Sequence, residues 1–131
     1  MPSPDPDVAK KADLTVFLFG ATLFLLNGED EPNDFVHIKK NKWLRWHNRT
    51  RATCTLKFYK LPEVDDAPSA AVGFWPFVPQ GHPPEIDLPP GGLWKARLRD
   101  DLEPGVAIKY DIELRTSPHI PKLDPVIIVR P

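Results

Sequence analysis

The sequence predicts an all-β protein, a two-sheet sandwich with Greek-key connections. Seventeen of its 131 residues are proline, and each proline in a helix would remove a backbone donor and clash with the preceding turn. Short runs of alternating apolar and polar residues recur, which is typical of half-buried strands. No segment shows the 3.6-residue periodicity of an amphipathic helix. Together these observations favour short strands joined by ordered loops.

The clearest alternation lies in 106–114, VAIKYDIEL, where apolar side chains occupy one face and Lys109, Asp111 and Glu113 the other. In 53–59, the same pattern points Cys54 inward together with two apolar neighbours. The segment VIIV is apolar at every position, which predicts a central or doubly covered strand. The predicted strands of this part of the chain are 35–39, 43–47, 53–59, 94–98, 106–114 and 126–129.

The beginning of the chain divides into two parts. Residues 1–13 are rich in proline and acidic residues, and we expect them to form an extended arm. The apolar stretch 14–28 is shorter than the roughly 20 residues of a membrane span. Acidic residues precede it and no small-residue cleavage site follows, unlike a secretory signal. We therefore predict buried strand, either as one strand or as two short strands broken near Gly20-Ala21, within one domain covering 14–131.

Composition limits the classes of partner. Seventeen basic residues balance eighteen acidic ones, giving a net charge of −1, whereas nucleic-acid binders usually carry a basic excess. The basic run from Lys39 to Arg51 is interleaved with apolar residues, and we interpret it as the solvated face of strands. We therefore predict that the protein binds neither nucleic acid nor membranes, and that it is cytoplasmic.

Four segments from residue 35 onward resemble the cupredoxins, the family of plastocyanin-like copper proteins. HIKKNKWLRWHNRT is similar to the strand that precedes the first copper histidine, and IDLPPGGLWKARL to the turn and strand after it. PGVAIKYDIEL resembles the strand leading into the ligand loop, and LDPVIIVRP the closing strand. The resemblance implies a cupredoxin-like, or more broadly immunoglobulin-like, sandwich.

The copper ligands of that family are not matched. A blue-copper site needs two histidines, a cysteine thiolate and usually a methionine, but the positions after the tyrosine-containing strand supply no cysteine or methionine. The single cysteine, Cys54, stands near the usual first histidine and is predicted to be an inert buried thiol. We expect no cofactor, and we keep Cys54, His47 and His119 as weak candidates for an atypical metal site.

No other constellation indicates catalysis, so we predict that the protein is not an enzyme. The four histidines lie on separate elements without metal-ligand spacing. Asn48-Arg49-Thr50 fits the pattern of a glycosylation acceptor, but we interpret it as accidental because no secretory signal precedes it.

The long connection 61–85 contains the most apolar irregular stretch, GFWPFVPQGHPP. Loops of this length usually have a function or are disordered, and disordered segments lack such aromatics. One interpretation is a satellite of the core, folded over one end of the sandwich. The other is a binding surface, and a mixture with Trp75 buried and Phe77 exposed is a third possibility. The predicted partner-binding residues are Phe74, Trp75, Phe77, Val78 and His82.

These observations predict a non-catalytic, structural module that binds another protein or copies of itself through this loop, with the proline-rich arm as a second contact. Two alternatives stay open. The first is a copper-binding or redox cupredoxin with a Cys/His site. The second is a carbohydrate-binding module that stacks sugars on Trp43, Trp75 or Trp94.

Overall fold

Ten strands form two sheets that pack face to face in the computed structural model, which describes residues 6–60, 72–117 and 119–131. The predicted all-β, two-sheet sandwich is confirmed. The strands are β1 (Val8–Phe19), β2 (Thr22–Leu26), β3 (Phe35–Lys39), β4 (Trp43–Asn48), β5 (Cys54–Lys60), β6 (Val72–Gly73), β7 (Glu85–Leu88), β8 (Leu93–Arg97), β9 (Ala107–Leu114) and β10 (Val126–Arg130).

The described residues contain no helix capable of crossing a membrane. Each strand predicted after residue 35 is present, with its ends displaced by one or two residues at most. The predicted apolar stretch 14–28 is a hairpin, because β1 and β2 pair antiparallel and break at Gly20-Ala21. Gly20 has a φ of 62°, a conformation that glycine adopts at little cost.

The first sheet has the strand order β2-β1-β4-β8. β1 and β4 are parallel, while the two outer pairs are antiparallel. β1 begins at Val8, so the prediction of an extended arm over 1–13 is wrong from Val8 onward, where the chain already pairs in the sheet. Its register against β4 shifts between Val8 and Asp13, so the first half of β1 diverges from its neighbour before the two strands pair regularly.

The second sheet has the order β3-β10-β9-β5, with β6 and β7 both pairing with β5. β3 and β10 are parallel, and β10 lies between β3 and β9. The prediction that VIIV forms a central strand is therefore confirmed. β3 forms the free edge of this sheet on the side opposite to β5.

Inward-facing side chains of both sheets form one core. Its largest fully buried members are Trp46, Tyr110, Phe58 and Phe77. The Trp46 ring contacts Tyr110 edge-on, and its indole N–H donates to the Tyr110 hydroxyl at 3.3 Å. Full burial raises the pKa of the Tyr110 phenol strongly, because the phenolate would be desolvated, although the bond from Trp46 opposes this shift.

Candidate functional site

The segment 73–84 crosses from the second sheet to the first and back. At its start, Gly73 pairs with Tyr59 of β5. In its middle, Phe77 forms a bridge with Leu98, directly after β8. At its end, the Pro84 carbonyl accepts a hydrogen bond from the Phe58 N–H at 2.8 Å. The segment therefore closes the gap between β5 and β8 at one side of the sandwich, which we call the closed side.

Hydrogen bonds hold this segment in place although its prolines exclude regular structure. The Val78 N–H donates to the Arg97 carbonyl at 3.0 Å, and the Arg99 N–H donates to the Pro76 carbonyl at 2.9 Å. The Arg99 guanidinium donates to the Trp75 carbonyl at 2.9 Å. Because the backbone is bonded to the first sheet through these contacts, its aromatic side chains are held in fixed positions.

Phe77 belongs to the core. Its side chain is fully buried, with its ring centroid 5.1 Å from Phe58, 5.3 Å from Trp94 and 5.8 Å from Trp46. All three contacts are edge-on, an arrangement favoured by the aromatic quadrupole. Phe77 cannot touch a partner directly. Of the predicted partner-binding residues, it is one that fits the interpretation of the loop as a satellite of the core.

Four rings stack from the interior to the surface, and we call them the aromatic column. Trp46 stacks on Trp94 at 4.7 Å, Trp94 on Trp75 at 5.7 Å, and Trp75 on His82 at 4.2 Å. Trp46 is fully buried, Trp94 and Trp75 are half-buried, and His82 is exposed. The suggested mixture of buried Trp75 and exposed Phe77 is thus reversed, because Phe77 lies between the sheets while Trp75 covers their edge.

The remaining predicted binding residues lie at the outside of the segment. Phe74 and Val78 are half-buried, and the Arg99 guanidinium lies over the Phe74 ring at 5.1 Å. The His82 Nδ1–H donates to the Pro83 carbonyl at 2.6 Å, which fixes the ring on Trp75. Residues 61–71 of the predicted loop lie outside the described residues. We call Trp75, Val78 and His82 the loop surface.

The weak metal candidates do not converge. Cys54 is fully buried on the inner face of β5, with its Sγ 3.8 Å from the Thr50 hydroxyl. Burial raises the pKa of its thiol, which disfavours the reactive thiolate. His47 lies on the outer face of the first sheet, opposite to the core, and His119 is exposed in the loop after β9. Within the described ranges, no group of three or more His, Cys, Asp or Glu side chains is arranged to hold a metal ion.

His47 lies in a cationic and partly buried environment. Burial lowers the pKa of its imidazole, with further contributions from Arg49 and Arg45 and an opposing one from Asp13. Its Nδ1 atom is buried and finds no hydrogen-bond partner in the part of the chain that the structure describes. The histidine is consequently held neutral over a wider pH range than an exposed one.

The burial of several polar groups is not predicted by the sequence pattern, and Arg45 and Asn48 are two of them. Arg45 was placed on a solvated face, yet only 8% of the residue is exposed. Its guanidinium binds the Asp13 carboxylate of β1 through two bonds of 2.9 and 2.7 Å. The solvated-face interpretation is therefore wrong for Arg45, because the neighbouring strand supplies a carboxylate that compensates its burial.

Asn48 is the second such group. Its side-chain amide donates to the carbonyls of Ala52 and Leu88 at 2.8 and 2.9 Å, and its Oδ1 accepts from Thr50. The nitrogen to which a glycan would be attached is thus fully engaged in buried hydrogen bonds. This arrangement fits the interpretation of the acceptor pattern as accidental and gives Asn48 a structural role at the end of β4.

The tryptophans do not form one exposed platform. Trp94 and Trp75 stack on each other within the aromatic column. Trp43 lies on the outer face of the first sheet, where Lys95 and Arg97 stand over its ring at 4.5 and 5.6 Å. The three rings therefore lie in two separate places, the aromatic column and the outer face of the first sheet.

Comparison with known proteins finds similar structures at low sequence identity. No family model and no curated protein matches the chain. An oxidised methionine-to-leucine variant of amicyanin is similar over 98% of this chain and 86% of its own, with 12% identity and a TM-score of 0.46. A Cu(I) amicyanin variant with methionine replaced by alanine covers 75% and 70%, with 16% identity and a TM-score of 0.39.

The ASH/PapD-like domain of human CEP192 is similar over 74% of this chain and 81% of its own, with 11% identity and a TM-score of 0.30. Amicyanin is a cupredoxin. At these identities the likeness concerns the two-sheet arrangement of strands and extends to no site and no activity.

Proposed function

We propose that this chain is a non-catalytic, cytoplasmic β-sandwich module that binds another protein through the loop surface. The observation that carries the proposal is the aromatic column. It leads from a fully buried tryptophan to an exposed histidine ring, so apolar area at the surface is continuous with the core. Aromatic side chains are enriched in the residues that dominate binding energy at protein interfaces.

Rigidity supports the same proposal. Binding usually costs free energy because side chains and loops become ordered at the interface. Here the Arg99 guanidinium already fixes the Trp75 backbone. The Trp75 indole N–H donates to the Pro79 carbonyl at 3.1 Å, which fixes its side chain as well. A partner that covers the loop surface would therefore pay little further ordering cost.

The experiment compares exposed positions on and off the loop surface. The wild-type chain is immobilised, a captured protein is identified and produced recombinantly, and its affinity is measured by titration calorimetry. The test variant carries Val78→Ser and His82→Ala, which leave Phe77 and the core intact. The matched control carries Leu93→Ser, since Leu93 is an exposed apolar residue on another face.

We expect the test variant to bind at least tenfold more weakly, and the control to bind like the wild type. Urea unfolding of both variants verifies that the fold is retained. Equal affinity of the test variant and the wild type would refute the proposal. The proposal would also be refuted if the wild-type chain bound no captured protein once that protein had been produced recombinantly.

A further inference from the structure

β3 has an edge that is open to a further strand. The Val126 N–H of β10 donates to the Asp34 carbonyl at 2.8 Å. In a parallel ladder the bonding groups of a strand alternate, so the backbone groups of Phe35, His37 and Lys39 point away from β10. Within the described ranges, these groups make no hydrogen bond across the free edge. The outward donors and acceptors of β3 are therefore available to an added strand.

The edges of the first sheet are partly covered. On β2, the Asn33 N–H donates to the Leu25 carbonyl at 2.9 Å, and Pro32 forms a bridge with Leu26. Next to β8, segment 73–84 supplies the bridge between Phe77 and Leu98. β3 differs from both because no segment of the described chain pairs with its outer side.

Charges of opposite sign flank β3. Glu29, Glu31 and Asp34 precede the strand, whereas Lys39 and two further lysines lie at its end and just beyond it. Among the described residues, none of these side chains forms an ion pair. One end of the open edge is thus acidic and the other basic, and no ion pair with another described residue compensates either charge.

We propose that the partner of this edge is a second copy of the chain, joined by antiparallel pairing of β3 with β3 about a twofold axis at His37. In this register Phe35 faces Lys39 of the partner subunit, and each facing pair exchanges both of its backbone hydrogen bonds. Asp34 faces the partner's Lys40. The two second sheets would become one continuous sheet running through both subunits.

Charge complementarity selects this arrangement. Antiparallel pairing brings the acidic end of each edge against the basic end of the other, and it does so twice because the contact is isologous. Parallel pairing would place like charges side by side. Since each chain offers one such edge, the contact closes at a dimer and does not propagate into a fibre.

β7, which lies at the other edge of the second sheet beside the two-residue β6, does not fit a copy of itself. β7 spans four residues, and its outward side chains Glu85 and Asp87 are both acidic, with Asp87 already paired to Arg115 at 2.9 Å. An antiparallel pair of two β7 strands would bring these carboxylates together across the contact, and facing like charges destabilise a sheet. The proposal therefore concerns β3 alone, and it is independent of the loop surface.

The test exploits the facing charges. Sedimentation equilibrium of the full chain is measured over the micromolar range, because a single-strand contact lies at the small end of interface sizes, where weak and transient contacts are found. Two single variants are prepared, Asp34→Lys and Lys40→Glu. Each places like charges opposite each other in its own dimer, so we expect each to dimerise at least tenfold more weakly than the wild type.

An equimolar mixture of the two variants provides the matched control. In the mixed dimer both facing pairs again have opposite charges, as in the wild type. The dissociation constant should therefore return to within about threefold of the wild-type value. Recovery would show that both variants are folded and that the register is the one proposed. A wild type that stays monomeric, single variants that dimerise normally, or a mixture that fails to recover would each overturn the proposal.

Discussion

The two sides of the sandwich differ in how their edge strands are treated. On the closed side, segment 73–84 bonds to the end of β8 and inserts Phe77 between the sheets. On the opposite side, β3 ends the second sheet with charges at both ends, and its outward backbone groups find no partner among the described residues. One edge is filled with aromatic rings from the same chain, and the other is left available.

The difference shows that apolar composition alone does not identify a binding surface. The most apolar loop of the sequence is largely part of the core, since Phe77 is fully buried and Trp75 is half-buried. The strand with the open edge has an ordinary composition and is distinguished by the arrangement of its flanking charges. Whether an edge is open depends on which segment crosses it, and this is a property of the topology.

The largest expected effect is on the free energy of unfolding, when a phenylalanine is truncated to alanine on each of the two sides. Phe77→Ala should lower the free energy of unfolding by about 3–5 kcal/mol, because it removes a fully buried ring and leaves a cavity. Phe35→Ala removes a ring that is 58% exposed, and it should change the stability by less than about 0.5 kcal/mol. Urea unfolding of both variants measures the contrast, and similar losses would contradict it.

A smaller effect on stability is expected from removing the hydrogen bond by which Arg99 holds segment 73–84. Arg99→Met removes the bond to the Trp75 carbonyl and should lower the free energy of unfolding by about 1 kcal/mol. It should also speed proteolytic cleavage within 73–84. Asp101→Asn is the control, because it removes the exposed ion pair of Arg99 but keeps the bond to Trp75. If the control is cleaved as fast as the test variant, Arg99 does not act through the Trp75 carbonyl.

The smallest effect concerns pH and lies away from both sides. Burial lowers the pKa of His47 in the folded chain below its ordinary value of 6.5. As the pH falls below 6.5, the unfolded chain binds a proton at His47 that the folded chain resists, so stability is lost down to the lowered pKa. His47→Gln should therefore flatten the decrease of the urea midpoint between pH 7 and pH 5, the region around the ordinary histidine pKa.

Because His47 is on the outer face of the first sheet, the same flattening is expected in the background of Phe35→Ala. A decrease of equal slope in the wild type and in His47→Gln would assign the pH dependence to other groups. A different response in the Phe35→Ala background would mean that the outer face and the β3 edge are coupled.

Most strands could be predicted from the sequence, because alternation reports which side chains face the core. Cys54 is an example, since its burial follows from its place in the pattern of β5. The positions of Arg45 and Asn48 could not be predicted in this way. Their burial depends on partners supplied by other elements, Asp13 of β1 and the Leu88 carbonyl of β7.

The conformation of segment 73–84 was harder to predict from the sequence, because proline-rich segments carry no periodicity. The sequence identified 73–84 as unusual and left open whether its aromatics are core or contact. The answer differs from one side chain to the next, since it is set by the bridge between Phe77 and Leu98. No local pattern predicts a contact between two residues that are separated along the chain by β7, a turn and β8.

The placement of β10 has a consequence for biosynthesis. This strand lies between β3 and β9, so the second sheet has a gap in its middle until Val126–Arg130 has left the ribosome. Until then both margins of β3 are bare in the nascent chain. The charges of opposite sign at the two ends of β3 would then favour the same antiparallel pairing between unfinished chains that they favour between completed ones.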